Sequence, residues 1–316
     1  MYKDSNYHLP VLYREAIETL SIKPNGVYVD CTAGGGGHSS GIIKRLNENG
    51  FLLAIDQDPE ALLVTRKKLE SLRDIKAQYI LVQDQFSNIK EILANSNITK
   101  IDGLIADLGV SSYQIDTASR GFSFQQDGKL DMRMNPKSKM SAFDFVNNAS
   151  QEKIAEVLRK YGEEKFANRI SSNIVFQRSQ KTIRTTYELV QIIKQVMPAR
   201  SRREQHPAKR TFQAIRIYVN QELAEIEKLL DALPDCMASG GIIDIISFHS
   251  LEDRIVKRIF QKWENPCTCP PDFPVCTCNK KPLGKRVNTK GFVASQEEIN
   301  RNPRSRSARL RVFKMN

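Results

Sequence analysis

The sequence predicts an α/β protein: a mostly parallel sheet interrupted by an inserted all-α domain. Three observations carry that reading. Short apolar, β-branched runs alternate with stretches of helical spacing through the first 107 residues. A glycine-rich turn joins the first strand to its helix. The fourth strand and the next convincing one lie about 135 residues apart, whereas a parallel crossover needs only about a dozen, so something has been inserted.

In chain order, His8-Leu9-Pro10-Val11-Leu12 leads into a helical stretch with Ala16, Ile17 and Leu20 on one face. It ends at Lys23-Pro24-Asn25-Gly26 and is expected to cover a ligand pocket. The first strand, Val27-Tyr28-Val29-Asp30, runs into Thr32-Ala33-Gly34-Gly35-Gly36-Gly37-His38 before helical spacing begins at Ile42, Ile43 and Leu46. Consecutive glycines put no Cβ between main chain and ligand, and they accept positive φ. The second strand, Phe51-Leu52-Leu53-Ala54-Ile55, ends at Asp56, about 20 residues past the glycines, where a carboxylate can accept hydrogen bonds from a ribose diol. A ribose-containing ligand is expected.

The loop register disfavours a phosphate cradle. G-x-G-x-x-G would require glycine at Ser39 or Ser40, and the Gly-Lys-Ser/Thr ending of a P-loop is missing. The pattern is closer to the Asp-x-Gly-x-Gly-x-Gly loop of S-adenosylmethionine-dependent methyltransferases, with Asp30, Gly34 and Gly36 in register and Thr32 in place of the first glycine. The alternative is a purely structural glycine turn.

The third strand, Tyr79-Ile80-Leu81-Val82, leads to Phe86, which either stacks on a purine or is plain core. The fourth, Asp102-Gly103-Leu104-Ile105-Ala106, ends at Asp107, followed by Leu108-Gly109-Val110-Ser111-Ser112. Ligands of open α/β sheets bind beyond such carboxyl ends. The insert reads as helical. Ser150 can cap a helix carrying Ile154, Val157, Leu158 and Tyr161 that stops at Gly162; Phe166, Ile170 and Ile174 repeat at helical spacing; Thr185-Thr186-Tyr187-Glu188 is a capping box. From Phe212 one long helix through Ile215, Val219, Leu223, Ile226 and Leu230 is expected to return the chain to the sheet. The fifth strand, Gly241-Ile242-Ile243-Asp244-Ile245-Ile246, is followed by His249, either a satisfied structural histidine or a site residue. The tail from Arg304 to Val312 alternates like a closing edge strand with basic residues on one face. These elements divide the chain into a core of residues 1–115 and 211–316 and an insert of residues 116–210.

Lys and Arg number 48 against 36 Asp and Glu, a formal charge of +12 that favours a polyanionic partner, nucleic acid first. Arg202, Arg203, Lys209 and Arg210 are candidate phosphate contacts; a solvated linker is the alternative. No run approaches the roughly 18 apolar residues of a membrane span and the N-terminus lacks an apolar signal region, so a cytoplasmic protein without a membrane partner is expected. The pairs Cys267/Cys269 and Cys276/Cys278 flank a proline-rich loop and offer four thiolates to a structural zinc ion; reduced surface thiols are the alternative.

Taken together, these segments resemble the ribosomal RNA small subunit methyltransferase H family, also called MraW. The resemblance extends to Arg120-Gly121-Phe122-Ser123-Phe124, Leu130-Asp131-Met132-Arg133-Met134, His206-Pro207, Arg210-Thr211-Phe212-Gln213-Ala214-Ile215-Arg216, Ser247 to Arg254, and Asn302-Pro303-Arg304-Ser305-Arg306-Ser307. It implies a class I S-adenosylmethionine-dependent methyltransferase fold, Rossmann-like with a mostly parallel seven-stranded sheet, acting on N4 of a cytidine in the decoding region of 16S rRNA within the small ribosomal subunit. Cofactor contacts are then expected from Gly36, Gly37, His38, Asp56, Phe86, Asp107 and Gln114. Asp107 is the first candidate acceptor for the amine, with His249 and Ser111 behind it. Leu108 and Gly109 stand where an Asp-Pro-Pro-Tyr signature has prolines, so Asp107 serving only the cofactor stays open. The cysteine cluster departs from the family, some of whose members lack it. Rival readings are methylation of another amino group on DNA or protein, and a ribosome-assembly factor; a nicotinamide dehydrogenase is disfavoured by the loop register.

Overall fold

A computed structural model describes residues 10–198, 206–269 and 277–316. They fall into two compact units, one from Met1–Gly109 with Leu223–Asn316 and one from Val110–Glu222. The first division falls six residues before the expected 115/116 and the second twelve after the expected 210/211, the latter because of a helix described below.

In the first unit, α1 (Tyr13–Thr19) leads into β1 (Val27–Asp30), α2 (Gly37–Ile43), β2 (Phe51–Asp56), α3 (Pro59–Glu70), β3 (Gln78–Gln83), α4 (Ile89–Asn95) and β4 (Ile101–Asp107). The second unit follows with α5 (Ser112–Asp116), α6 (Ala142–Asn148), α7 (Gln151–Gly162), α8 (Ala167–Gln180), α9 (Thr186–Val196) and α10 (Lys209–Asn220). The chain then returns through α11 (Glu222–Cys236), β5 (Met237–Ser247), α12 (Ser250–Glu264), β6 (Gly284–Arg286), β7 (Phe292–Val293), α13 (Gln296–Arg301) and β8 (Arg309–Met315).

The sheet runs β3-β2-β1-β4-β5-β8-β6; the two-residue β7, also paired to β8, makes an eighth strand beyond the expected seven. Strands β1 to β5 are parallel, and β8 is antiparallel to its neighbours. Both faces are covered. Strand alternation sends Val29, Leu53, Leu104, Ile243 and Ile245 to one cluster with α4, α11 and α12, and Tyr28, Leu52, Ile105, Ile242 and Ile246 to another with α1 and α2. This double burial explains why the central strands read as continuous apolar runs rather than alternating ones.

The tail strand corrects an expectation. It lies inside the sheet, with β5 on one side and β6 and β7 on the other, and residues 303–307 form a 3-10 turn instead of its beginning. Its Arg311 is buried, donating Nε and Nη2 to the two carboxylate oxygens of Asp253 at 2.6 and 3.0 Å. That arginine is an internal ion pair, not part of a basic face.

In the second unit, capping boxes at Ser141/Asp144 and Thr185/Glu188 open α6 and α9, and Ser150 caps α7. Helix α7 runs through Gly162 and stops at Glu163, which takes a left-handed φ of 47°. Apolar faces of α6 to α10 converge on one cluster that includes Phe145, Leu158, Ile174, Leu189 and Phe212. The expected single long helix is two helices. Gln221 has φ 53°, a conformation that cannot continue a right-handed helix. Helix α10 buries Phe212, Ala214 and Ile215 in the second unit's core, whereas α11 places Ile226, Leu229 and Leu230 against the sheet. Asn220, just before the break, donates to the carbonyl of Met132 at 2.7 Å and accepts the N–H of Met134 at 2.7 Å. Arg120 reaches the carbonyls of Arg133 and Met134 at 3.0 and 2.9 Å, so these two side chains fix the irregular stretch carrying Leu130 to Met134.

Candidate functional site

Strand β1 has β2 on one side and β4 on the other, so the chain order reverses at β1, and the crevice of an open α/β sheet forms at the carboxyl ends there. Three carboxylates occupy those ends: Asp30, Asp56 and Asp107.

Asp30 holds the glycine loop. It is buried, accepts the Thr32 N–H at 3.1 Å and the Ser39 hydroxyl at 2.6 Å, and so ties the loop's start to the first turn of α2. Burial pushes its carboxyl up, and the bonds from Ser39 and Thr32 pull it back. Two loop positions require glycine for their backbone: Gly34 at φ 50° and Gly36 at φ 71°. Gly37 is constrained by packing, since a Cβ there would lie 2.2 Å from Cγ of Pro10. Thr65 of α3 donates its hydroxyl to the Gly34 carbonyl at 3.1 Å from the far side.

Asp56 anchors the same loop. One carboxylate oxygen accepts the Gly34 N–H at 2.8 Å and the other the Asp58 N–H at 2.9 Å. Each oxygen retains acceptor capacity for a ligand hydroxyl. Burial, reinforced by the charges of Asp58 and Asp30 and opposed by those two N–H bonds, pushes its pKa up to about 7.

Asp107 closes the third side. Its N–H donates to the Thr32 hydroxyl at 2.7 Å, locking β4 to the loop. Its Oδ1 is buried and has no hydrogen-bond partner among the described residues, and Oδ2 stands 3.9 Å from Nδ1 of His38. Burial first, then the charges of Asp30 and Glu252, raise this carboxyl well above the usual range. His38, on the first turn of α2, is buried and shifted down to about 4, chiefly by burial with a contribution from Lys68, so its imidazole is neutral at pH 7. Its Nε2 is likewise without a partner among the described residues, and its ring stacks on Tyr13 of α1 with centroids 6.2 Å apart.

The remaining expected residues have other immediate partners. Phe86 is half-buried and packs against the core cluster beneath β3. His249 is the N-cap of α12: Nδ1 accepts the Glu252 N–H at 3.4 Å, and Nε2 lies 3.1 Å from a Glu252 carboxylate oxygen. Glu252 in turn accepts the Phe248 N–H at 2.8 Å. Ser111 and Gln114 form the capping box of α5 in the second unit. Lys209 is exposed, Arg210 donates to the Glu163 carbonyl at 2.9 Å and so covers the end of α7, and Arg202 and Arg203 lie outside the described residues. Sulfurs of Cys267, Cys269 and Cys278 cluster within 4.8 Å; Cys276 is outside the described residues. Thr32 was read in the loop, in place of its first glycine, whereas Ser39, Thr65 and Tyr13 were not expected at the site. Only Glu252 carried a signal, the three-residue spacing from His249 that marks a capping box.

The site therefore offers a loop without Cβ atoms, two buried polar atoms lacking partners among the described residues, and two carboxylates, Asp56 and Asp107, raised by burial and by the charge of neighbouring carboxylates. A ligand with a hydroxylated ribose and a positive charge fits all three features, because a cation near the carboxylates relieves their repulsion. Among the described residues no helix is long and apolar enough to cross a membrane.

Over 305 residues, 96% of this chain and 97% of the relative, the sequence is 50% identical to a ribosomal RNA small subunit methyltransferase H of Clostridium botulinum (strain 657 / Type Ba4). A protein of the same description from Ruminiclostridium cellulolyticum is 50% identical over 307 residues, 97% of this chain and 98% of that one. A Streptococcus mutans protein solved in complex with SAH aligns over 98% of this chain and 100% of its own at 12% identity, with a TM-score of 0.43, too distant to bear on the site. Residues 5–316 match the MraW methylase family as a whole, and with half of all positions identical to relatives of nearly equal length, the chain belongs to that family.

Proposed function

We propose that this protein transfers a methyl group from S-adenosylmethionine to N4 of a cytidine in the decoding region of 16S rRNA within the small ribosomal subunit, working in the cytoplasm. The relatives' description as ribosomal RNA small subunit methyltransferases supports the substrate class. The observation that carries the cofactor assignment is the convergence of the bare loop at Gly34 to Gly37 with Asp56 at the strand-order reversal.

S-adenosylmethionine supplies an activated methyl on a sulfonium cation, so no covalent nucleophile is required of the protein. Gly36 and Gly37 let main chain approach the ligand, and Asp56 accepts the ribose hydroxyls. His38, neutral and buried, offers Nε2 as a hydrogen-bonding atom without adding positive charge beside a sulfonium. Cytosine's amine is a poor nucleophile because its lone pair is delocalised into the ring. Asp107 Oδ1, accepting an amine hydrogen, favours the pyramidal form in which the lone pair points outward, and can then take the proton released on transfer. A nearby cation lowers the pKa of Asp107 and keeps it an acceptor. The target base must be single-stranded or leave its stack to reach such a pocket. Gln114 is proposed to complete the cofactor contacts, Phe86 to stack on the adenine, and Lys209 with Arg202 and Arg203 to meet phosphates.

The test uses isotopically labelled S-adenosylmethionine, the purified protein, and small subunits from cells lacking the activity, with the modified nucleoside located by mass spectrometry. N4-methylcytidine at one decoding-region position is expected. Label on another base, on DNA or on protein would discard the target; absence of transfer to subunits, naked rRNA and assembly intermediates alike would discard the enzyme.

A further inference from the structure

We propose that the thiolates of Cys267, Cys269 and Cys278 hold a structural zinc ion on the connection between α12 and β6. The three Sγ atoms all lie within 4.8 Å of one another, and those of Cys267 and Cys278 are 3.8 Å apart. Zinc–sulfur bonds of about 2.3 Å at a tetrahedral angle place neighbouring sulfurs about 3.8 Å apart, so the pair already has the spacing that one ion imposes.

The surroundings are those of a bound thiolate. Cys269 Sγ accepts the main-chain N–H of Thr277 at 3.4 Å and lies 3.7 Å from the Thr277 hydroxyl. Such N–H donors orient metal-bound sulfur and offset its charge. Lys280 bonds the Thr268 hydroxyl at 3.3 Å, bringing an ammonium beside a site whose three thiolates and one divalent cation sum to a net negative charge.

The location supplies the reason for a cross-link. The neck of the connection is pinned: Arg286 donates Nε to Glu264 at 2.7 Å, and the Leu283 N–H donates to the Trp263 carbonyl at 2.9 Å. Beyond that neck, residues 265–269 and 277–283 form neither helix nor strand, and Cys267 is exposed with Cys269 and Cys278 half-buried. Hydrophobic burial therefore cannot gather the three sulfurs there, whereas a metal crosslink offsets the entropy of closing an irregular loop. Soft thiolate donors select zinc among the redox-inert divalent ions, over magnesium or calcium, which take oxygen. Three thiolates fill three positions; Cys276 lies outside the described residues, and the donor in the fourth is read from the experiment.

Full-length protein purified under reducing conditions without chelator should contain about one zinc per chain by elemental analysis. The variants C267S and C278S should each lower that content about tenfold or more while keeping the parent's circular dichroism. Replacement by cobalt should give sulfur-to-metal charge-transfer absorption whose intensity counts the thiolates. A second measurement covers the case in which a serine variant fails to fold: stripping zinc from the unmutated protein with a chelator should expose residues 265–269 and 277–283 to limited proteolysis, and zinc chloride should restore protection. Zinc below about a tenth of an equivalent even after reconstitution, full zinc content in a C267S/C278S double variant, a Cys267–Cys278 disulfide in the reduced preparation, or proteolysis indifferent to metal would each overturn the proposal.

Discussion

Oδ2 of Asp56 receives the main-chain N–H of Gly34 at 2.8 Å, across 22 residues of sequence. The carboxylate expected to read the ligand thus also shapes the loop that the ligand rests on. Asp56→Asn keeps the side chain's shape but replaces one acceptor oxygen with a donor, which cannot face an N–H. Loss of a charge-assisted hydrogen bond, about 1.5–3 kcal/mol, corresponds to roughly 10- to 150-fold weaker cofactor binding. Calorimetric titration with S-adenosylmethionine measures it; unchanged affinity would remove Asp56 from the site.

The same residue makes binding depend on pH. Its pKa is raised from 3.8 to about 7 in the folded protein. Hydroxyl donors favour the ionised form, so affinity should be full above about pH 7 and weaken as pH falls, approaching tenfold per unit. Stability of the unliganded protein should move oppositely. The folded state holds this proton more tightly than the unfolded one, so its contribution is full below pH 3.8 and is lost as pH rises through about 7. Melting temperatures against pH, with and without cofactor and for Asp56→Asn, separate the two slopes.

In the proposed mechanism Asp107 accepts from the target amine. Asp107→Asn should lower kcat about 10²- to 10⁴-fold, the usual contribution of a positioned acid or base, while leaving cofactor affinity near the parent's. The opposite result, weak binding with normal turnover at saturation, would make it a cofactor contact.

Gly37→Ala should destabilise by packing alone. The added Cβ meets Pro10 at 2.2 Å, and forced overpacking of this kind costs about 1–3 kcal/mol. Gly37 has no positive φ, so the penalty should shrink in a Pro10→Ala background. Urea unfolding of the single and double variants checks this.

Asp253→Ala leaves the buried guanidinium of Arg311 without its carboxylate. Because Asp253 is partly exposed and water can enter, the loss should fall below that of a fully buried pair, about 2–3 kcal/mol. Denaturant midpoints measure it.

The strands, the glycine loop and the capping boxes were legible because each is set by neighbours in sequence: burial on two faces, missing Cβ atoms, a hydroxyl three residues before a carboxylate. What escaped depended on distant partners. Arg311 looks the same in sequence whether it meets water or Asp253, which lies 58 residues away, so an interior strand read as an edge. The apolar spacing of α10 and α11 continues across Gln221, and only its left-handed backbone, coupled to the anchoring of Asn220 on Met132 and Met134, separates them. Likewise Asp107 announced itself by its place at a strand end, but its link to Thr32 spans 75 residues.

The interior position of β8 also bears on synthesis at the ribosome. Strand β5, 11 residues long and largely buried, pairs with β4 on one side and waits for β8 on the other. Until residues 309–315 emerge, that side of β5 is an unpaired apolar edge, the kind of surface that recruits strands from other chains. A nascent or nicked chain lacking this short segment is thus not a shortened protein but a template for aggregation, and β8, which follows in sequence every strand it pairs with, is the one that closes it.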